Sequence, residues 1–295
     1  MKLTPVEIVL FFIEDKNKRL ENILGASKVV NEIISPAEMF NMCVWSIRKN
    51  MPNASITLFT DDHTNIHNEM DNIKICRYSN IRHDFLMFDL ENLRKNYIQD
   101  YIKKNIEINL IFTDIDVLFN KDLSHIFSMD FDVCSPATFY NLKHSSRGIP
   151  LNSLLSTINC GIFFVRTNNK ALNFYNAWIE LMLYLNEHDE LKEYGDLFDR
   201  VKKDFLKWWG EPHSLMVMFG NQFMAGQRDY VYYKDTKFKI IEDSLYNFAP
   251  EMIKQPDGNL FLKMDEFHFD SCYLFHMRGA RKVFMRQVAN KMGFN

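Results

Sequence analysis

The chain has 295 residues, of which 47% are hydrophobic and 25% are charged, and its formal net charge is -3. This length accommodates one large domain or two small ones with a sizeable core, and the acidic balance gives no reason to expect a nucleic-acid partner. Five scattered cysteines without a C-x-x-C pair argue against a zinc site and indicate reduced thiols in a cytoplasmic protein. The first apolar run, Val6 to Ile13, lacks a signal-peptide cleavage pattern and is too short to span a bilayer.

The first 120 residues alternate between strand-like and helix-like patterns. Apolar runs predict buried strands, and apolar residues at helical spacing predict helices. The predicted order is a strand at Val6 to Ile13, a helix at 36–50, strands at Ser55 to Thr60 and Ile73 to Tyr78, a helix at Glu91 to Lys104, and a strand at Asn109 to Phe119. Such alternation is typical of a mostly parallel sheet that is covered by helices.

The second half of the chain has a less regular pattern. We predict strands at Asp132 to Ala137, Ile158 to Arg166, Phe238 to Ile241 and Tyr273 to His276, and a helix at Lys170 to Leu185. The aromatic stretch from Lys202 to Gly220 fits no single element. Because no internal repeat or linker is visible, we predict a single domain over 1–295 with C-terminal insertions.

Two acidic residues interrupt the most strand-like run, NLIFTDIDVLF. In an extended chain Asp114 and Asp116 would point to the same face, where a buried strand ends. A bound divalent cation would offset the cost of burying both charges, and carboxylate oxygens suit Mg²⁺ or Mn²⁺. The alternative is that both acids cap a turn or pair with lysine and arginine.

Three motifs occur in a particular order along the chain. The D-x-D strand is followed by Asn159-Cys160-Gly161 within INCGIFFVR, and later by His276, Gly279 and Lys282 within LFHMRGARK. In this order they resemble the GT-A glycosyltransferases, and more narrowly the retaining nucleotide-sugar transferases of the glycogenin and galactosyltransferase type. Cys160, in place of a small residue, and Arg281 depart from the family pattern. The resemblance implies a Rossmann-like GT-A α/β fold, with a nucleotide-binding half at 1–120 and an acceptor-binding half at 121–295.

The resemblance also implies roles for individual residues. Asp114, Asp116 and His276 would hold Mn²⁺ or Mg²⁺, which neutralises the diphosphate leaving group. Lys282, and Arg278 or Arg281, would add positive charge at the phosphates, while Gly279 would let the backbone approach them closely. The resemblance further predicts that Asp114 contacts the ribose and that Arg94 reaches the donor sugar or phosphates; the alternative for Arg94 is a solvated helix residue.

The reacting carbon needs little help from side chains in such a reaction, because the leaving phosphate can accept the acceptor's proton. The candidates for an assisting carboxylate or amide are Glu211, Asn159 and Gln222, with Asp196 and His213 as further possibilities. Trp208 and Trp209 are candidates for a sugar platform, with packing in the core as the alternative.

The predicted function is metal-dependent transfer of a sugar from a nucleoside-diphosphate sugar to a glycan, lipid-linked or protein acceptor, as in polysaccharide biosynthesis. One alternative is a haloacid-dehalogenase-like phosphatase, which also uses a D-x-D strand. Another is a non-catalytic GT-A-like binding protein. The basic C-terminal segment is predicted to form a solvated helix, with peripheral contact to an anionic membrane as the alternative.

Overall fold

The computed structural model describes residues 5–13, 34–66, 72–78, 87–138, 158, 160–187, 210–224, 227, 229–256 and 260–294. The chain forms two compact units, and each unit is assembled from separate segments of sequence. Unit 1 comprises 1–4, 84–110 and 129–241, and unit 2 comprises 5–83, 111–128 and 242–295. The two units therefore do not coincide with the predicted halves at 1–120 and 121–295, which remain a prediction about function.

Unit 2 begins with parallel strands. Its first elements are β1 (Val6–Phe11), helix α1 (Pro36–Asn50), β2 (Ser55–Asp61), β3 (Ile73–Tyr78) and the end of β4 (Asn109–Thr113). They are ordered β3-β2-β1-β4, and β2 pairs in parallel with both β1 and β3. Because β2 and the centre of β1 are buried, their sequences read as largely apolar runs rather than alternating ones.

Local capping fixes the start of α1. The Ser35 hydroxyl accepts a hydrogen bond from the Glu38 backbone N–H at 3.2 Å, and the Glu38 carboxylate accepts one from the Ser35 backbone N–H at 3.0 Å. This reciprocal pair satisfies two backbone donors at the helix end, and Pro36 follows at a position where no donor is needed. The predicted helix at 36–50 is confirmed.

The later part of unit 2 consists of short elements. They are β5 (Val117–Phe119), a 3-10 helix (Ser124–Ser128), α5 (Asp243–Tyr246), the hairpin β10 (Glu251–Lys254) and β11 (Leu260–Lys263), α6 (Glu266–Ser271), β12 (Leu274–His276), a 3-10 helix (Gly279–Phe284) and α7 (Met285–Lys291). Strands β5 and β12 form a separate antiparallel pair. Helix α7 buries Met285, Val288 and Ala289, so the basic C-terminal segment packs one side within unit 2.

Unit 1 contains the longer helices and antiparallel strands. Its elements are α2 (Met87–Lys104), β6 (Val133–Ala137), β7 (Ile162–Arg166), α3 (Asn169–Glu187), α4 (Gly210–Met224), β8 (Tyr230–Tyr233) and β9 (Thr236–Glu242). The strands are ordered β7-β6-β9-β8, and the pairs β6–β7 and β8–β9 are antiparallel. The core of this unit is a cluster of aromatic rings, in which Phe174, Trp178, Phe219 and Phe238 are buried and in contact.

The predicted α/β fold class is confirmed, since parallel strands and helices alternate through β1 to β4. One element was predicted wrongly. Asn109 to Phe119 is not a single strand, because a turn at Ile115 and Asp116 separates β4 from β5. Since β5 pairs with β12, the turn redirects the chain at the D-x-D motif itself.

At the end of β2, the Asp61 carboxylate accepts hydrogen bonds from the backbone N–H groups of His63 and Thr64, so it closes a turn.

Candidate metal and donor site

The pairing of β5 with β12 brings distant residues together in unit 2. Val117, at the start of β5, lies opposite His276, at the end of β12. The backbone N–H of Met277 donates to the carbonyl oxygen of Asp116 at 2.8 Å. His276 is therefore held beside Asp116 by backbone hydrogen bonds, although 160 residues separate them in sequence.

The three predicted metal ligands meet at this point. Asp114, Asp116 and His276 each offer one ligand atom, and these atoms all lie within 4.8 Å of one another. Asp116 and His276 are 5% and 3% exposed, and Asp114 is half-buried. The turn between β4 and β5, rather than alternation along one strand, places both carboxylates at this site.

The hydrogen bonds of Asn247 orient the His276 ring. The Asn247 Nδ2 donates to the Asp243 carboxylate at 2.6 Å, so its Oδ1 faces the His276 Nδ1 at 2.8 Å as an acceptor. The neutral ring must then carry its proton on Nδ1, which leaves the lone pair of Nε2 for a ligand. A metal-binding histidine is usually oriented in this way by a hydrogen bond from its other nitrogen.

Two acceptor atoms face each other as a result. The His276 Nε2 lies 3.4 Å from Asp116 Oδ1, and that buried oxygen has no hydrogen-bond partner within the described part of the chain. Facing lone pairs repel unless a cation or a proton lies close to both. Two carboxylates and an imidazole are a suitable donor set for Mn²⁺ or Mg²⁺, so the residues fit a divalent cation.

The other oxygen of Asp116 is bound by a lysine. Lys282 Nζ lies 3.0 Å from Asp116 Oδ2. Burial raises the pKa of Asp116, but the charge of the Lys282 ammonium beside it outweighs burial and holds this pKa well below its ordinary value. The carboxylate is therefore ionised at neutral pH, which is the form that binds a metal.

Gly279 begins the turn that delivers Lys282. Its φ of 62° lies in the left-handed region, which residues with a side chain rarely adopt. A Cβ at this position would meet nothing within 4 Å, so backbone conformation rather than lack of space favours glycine. The 3-10 helix from Gly279 then carries Lys282 back towards Asp116.

Two further predicted phosphate ligands lie near this turn. Arg278 is half-buried, and the Arg281 Nε donates to the carbonyl oxygen of Pro250.

A second cluster of charges lies within unit 1. The carboxylate of Glu211 on α4 is paired through one oxygen with Arg94 and through the other with Lys95, both on α2. Lys95 is 1% exposed, and its Nζ lies 4.3 Å from the centroid of the Trp178 ring. Arg94 was predicted to be either a donor ligand or a solvated residue. It is 13% exposed at its side chain, so the solvated alternative is wrong.

Burial shifts the pKa of two further groups in unit 1. Burial and the nearby charge of Glu211 raise the pKa of Glu91 to about 8, although Lys95 and Arg94 oppose the shift. Burial lowers the pKa of His213 to about 4. Glu91 is therefore mostly protonated and His213 neutral at pH 7.

The remaining predicted site residues differ in how far the structure describes them. Gln222 binds the backbone of β8, because its Nε2 donates to the Tyr232 carbonyl oxygen at 2.7 Å and its Oε1 accepts from the Tyr232 N–H at 2.8 Å. Asn159 lies outside the described residues, as do Asp196, Trp208 and Trp209. The catalytic assignments of Glu211, Asn159 and Gln222 stay predictions.

Two residues with structural roles at these clusters were missed. Lys95 shares a helix face with Ile98 and Ile102, and a lysine within an apolar stripe is the signal that could have revealed it. Asn247, in contrast, has no such signal, because its role depends on the pairing of β5 with β12.

The sequence model of the family described as nucleotide-diphospho-sugar transferase matches residues 87–206. This match covers 120 of the 295 residues, includes Asp114 and Asp116, and agrees with the resemblance to nucleotide-sugar transferases that the motifs predicted. No curated protein matches the chain.

Solved glycosyltransferase structures show a distant likeness. The galactosyltransferase LgtC, solved with donor and acceptor sugar analogs, is 11% identical with a TM-score of 0.47, covering 98% of this chain and 97% of that one. The glycosyltransferase GlyE of Streptococcus pneumoniae is 14% identical with a TM-score of 0.43, covering 81% of this chain and 46% of that one. A glycosyltransferase involved in glycosylation of the major capsid of PBCV-1 is 10% identical with a TM-score of 0.43, covering 98% and 100%. The chain thus spans under half the length of GlyE.

Among the described residues, no helix has both the length and the hydropathy of a membrane span.

Proposed function

We propose that this chain is a metal-dependent glycosyltransferase that moves a sugar from a nucleoside-diphosphate sugar to a glycan, lipid-linked or protein acceptor. The observation that carries the proposal is the meeting of two acceptor atoms, His276 Nε2 and Asp116 Oδ1, at 3.4 Å inside unit 2. Such an arrangement is favourable when a cation binds both atoms. The family match over 87–206, which names nucleotide-diphospho-sugar transferases, supports the choice of donor.

The proposed roles follow from the geometry of unit 2. Asp114, Asp116 and His276 would hold Mn²⁺ or Mg²⁺, which would supply positive charge to the departing diphosphate. Asn247 accepts a hydrogen bond from the His276 Nδ1, which orients the ring and leaves Nε2 of the neutral form to bind the ion. The Lys282 ammonium, now paired with Asp116, is close enough to the ligand cluster to exchange this partner for a phosphate oxygen.

The roles proposed for unit 1 rest on the resemblance together with the observed pairing. The Arg94 guanidinium is held by Glu211, which restricts its rotamers and prepares it to bind an anionic or hydroxyl group of the donor. Because both oxygens of Glu211 are paired with cations, the geometry favours a positioning role for this carboxylate over that of a proton acceptor. Retention of configuration, like the choice of Mn²⁺, is proposed from the resemblance alone.

The test is hydrolysis of a panel of nucleotide sugars with Mn²⁺, in which the released nucleoside diphosphate is measured. We expect one donor to be hydrolysed slowly, and chelation of the metal to abolish the reaction. The Asp116→Asn variant should lose more than about 100-fold of this activity, because the bound cation supplies several kcal/mol of charge stabilisation.

Asp270→Asn is the matched control, because Asp270 is an exposed aspartate of the same unit. It should retain the activity of the parent chain. If every donor stays intact and none shifts the melting temperature in the presence of Mn²⁺, the proposal is wrong.

A further inference from the structure

The hairpin β8–β9 of unit 1 has one buried face and one outer face. Tyr230 lies opposite Lys239, and Tyr232 lies opposite Lys237. The alternate residues Val231 and Phe238 are fully buried. Since side chains alternate across a strand, the two tyrosines and two lysines share the outer face, which we call the tyrosine–lysine face.

Aromatic rings and ammonium groups are in contact across this face. The Nζ atoms of Lys237 and Lys239 each lie 4.2 Å from the centroid of the Tyr230 ring, and Lys234 lies 5.4 Å from that of Tyr233 at the hairpin turn. The Tyr232 ring is 49% exposed. Cation–π contacts hold the lysines beside Tyr230, while the exposed ring of Tyr232 is left for a ligand.

The charge of the tyrosine–lysine face is positive, in contrast to the chain as a whole. Lys237 is paired with Asp130 at 2.7 Å, whereas no ion pair of Lys239 occurs among the described residues. The hydrogen bond from Lys237 is the main reason why the pKa of Asp130 is lowered, and Arg166 and Lys170 are near enough to lower it further. The exposed carboxylates around this face, Asp130 and the hairpin residues Asp229 and Asp235, are outnumbered by the three lysines of the hairpin together with Arg166 and Lys170.

The backbone of β8 does not offer a free edge at the centre of this face. β8 is the last strand in the sheet order, and such a strand can bind a peptide by adding a further strand. Both backbone groups of Tyr232 are, however, bonded to the Gln222 amide. A ligand must therefore bind to the side chains rather than extend the sheet at this position.

We propose that the tyrosine–lysine face binds an acidic saccharide chain, as an extended site for the acceptor. The ring of Tyr232 would pack against the C–H face of a sugar, and Lys239 would pair with a carboxylate on it. No large aliphatic side chain lies among the four residues of the face, which disfavours insertion into a membrane. The inference rests on the proposed function for its choice of saccharide over other anionic polymers.

The experiment is a direct titration of the full chain with oligogalacturonate, without donor or metal. Maltoheptaose serves as the neutral saccharide, and single-stranded RNA and anionic lipid vesicles serve as other anionic partners. We expect binding of oligogalacturonate only, weakened about threefold between 0.15 and 0.5 M salt. Tyr232→Ala and Lys239→Gln should each weaken it about fivefold, and Asp130→Asn should tighten it about twofold.

The matched controls are Tyr184→Ala and Lys103→Gln, which remove an exposed tyrosine and an exposed lysine elsewhere in unit 1. Both should bind like the parent chain. The inference is overturned if oligogalacturonate does not bind, if the variants and controls bind alike, or if RNA or vesicles bind in its place.

Because the titration omits the donor, its result is separate from that of the hydrolysis screen. Donor hydrolysis without oligogalacturonate binding would overturn the saccharide site alone. Binding of oligogalacturonate without hydrolysis of any donor would support the saccharide site but contradict the proposed transferase function.

Discussion

The two charged clusters, one in each unit, use similar residues but balance their carboxylates differently. In unit 1, both oxygens of Glu211 are paired with cations of the chain itself, Arg94 and Lys95. In unit 2, Lys282 binds only one oxygen of Asp116, and the other lies 3.4 Å from the His276 Nε2. In the first cluster the carboxylate is neutralised by cations of the chain itself, whereas the second becomes favourable when a cation binds.

This difference shows which feature of a buried acid indicates a ligand. Burial alone does not, since Glu211 and Asp116 are both almost inaccessible to solvent. A buried acid indicates a ligand when hydrogen bonds within the chain hold its oxygen beside a second acceptor. Asn247 does this by orienting the His276 ring next to Asp116. The comparison predicts that substitutions in unit 1 change stability, and that those in unit 2 change metal affinity.

The largest expected effect on stability is that of Glu211→Gln. The substitution leaves Lys95 buried without its counter-charge, which typically costs about 3–5 kcal/mol of the free energy of unfolding. Urea denaturation monitored by circular dichroism measures this loss. If Glu211→Gln unfolds at the same urea concentration as the parent chain, Glu211 does not stabilise the fold by neutralising Lys95.

Next in size is the effect of Asn247→Ala on metal affinity. Without the acceptor for Nδ1–H, the His276 ring is free to change tautomer and orientation, and loss of such a partner typically weakens metal binding about 10–100-fold. Calorimetric titration with Mn²⁺ gives the affinity directly. Asn96→Ala is a suitable control, since the Asn96 amide only binds its own helix at Asn92; an equal loss in both variants would contradict the role of Asn247.

A smaller, pH-dependent effect is expected for Glu91→Gln. Because the folded chain raises the pKa of Glu91 from 4.5 to about 8, it binds a proton that the unfolded chain has released. The associated stability is present below pH 4.5 and is lost as the pH rises to about 8.

Glutamine keeps the neutral shape of the protonated acid. Glu91→Gln should therefore unfold at a higher temperature than the parent chain at pH 8, by about 1–3 kcal/mol in free energy, and show little difference at pH 4.5. Melting curves at both pH values test this, and a gain of equal size at both would contradict the raised pKa.

The smallest effect belongs to an exposed ion pair. Lys263 and Glu251 lie 3.5 Å apart across the hairpin β10–β11, and about two thirds of each side chain is exposed. Glu251→Gln should change the free energy of unfolding by no more than about 0.5 kcal/mol, because solvent and salt screen such pairs. If Glu251→Gln lost as much free energy of unfolding as Glu211→Gln, burial would not explain why one ion pair stabilises the fold more than the other.

Local patterns were sufficient to predict most of the elements. The buried strands β1 and β2 are largely apolar runs, and α1 carries both a capping signal and helical spacing. These features depend on residues that are close in sequence. The helix over 210–224, by contrast, was not assigned, because its apolar and aromatic residues lack a clear amphipathic period.

The site was predicted only in part, for the same reason. The D-x-D motif and His276 indicated the correct ligands, but the argument from a single extended strand was wrong, since a turn separates β4 from β5. The pairing of β5 with β12 and the hydrogen bond from His276 to Asn247 join residues far apart in sequence. No periodicity encodes such contacts, so the orientation of the imidazole was not predictable.

The distance along the chain between the two halves of the metal cluster has a consequence for biosynthesis. During translation the D-x-D motif is made about 160 residues before its partners on β12 and in the following 3-10 helix. Until they arrive, β5 has no partner strand and Asp116 has neither His276 nor Lys282 beside it. Binding of the proposed ion is thus coupled to the synthesis of β12 and the 3-10 helix, and a chain cut short before residue 276 would keep its acidic pair but lack the His276 ligand.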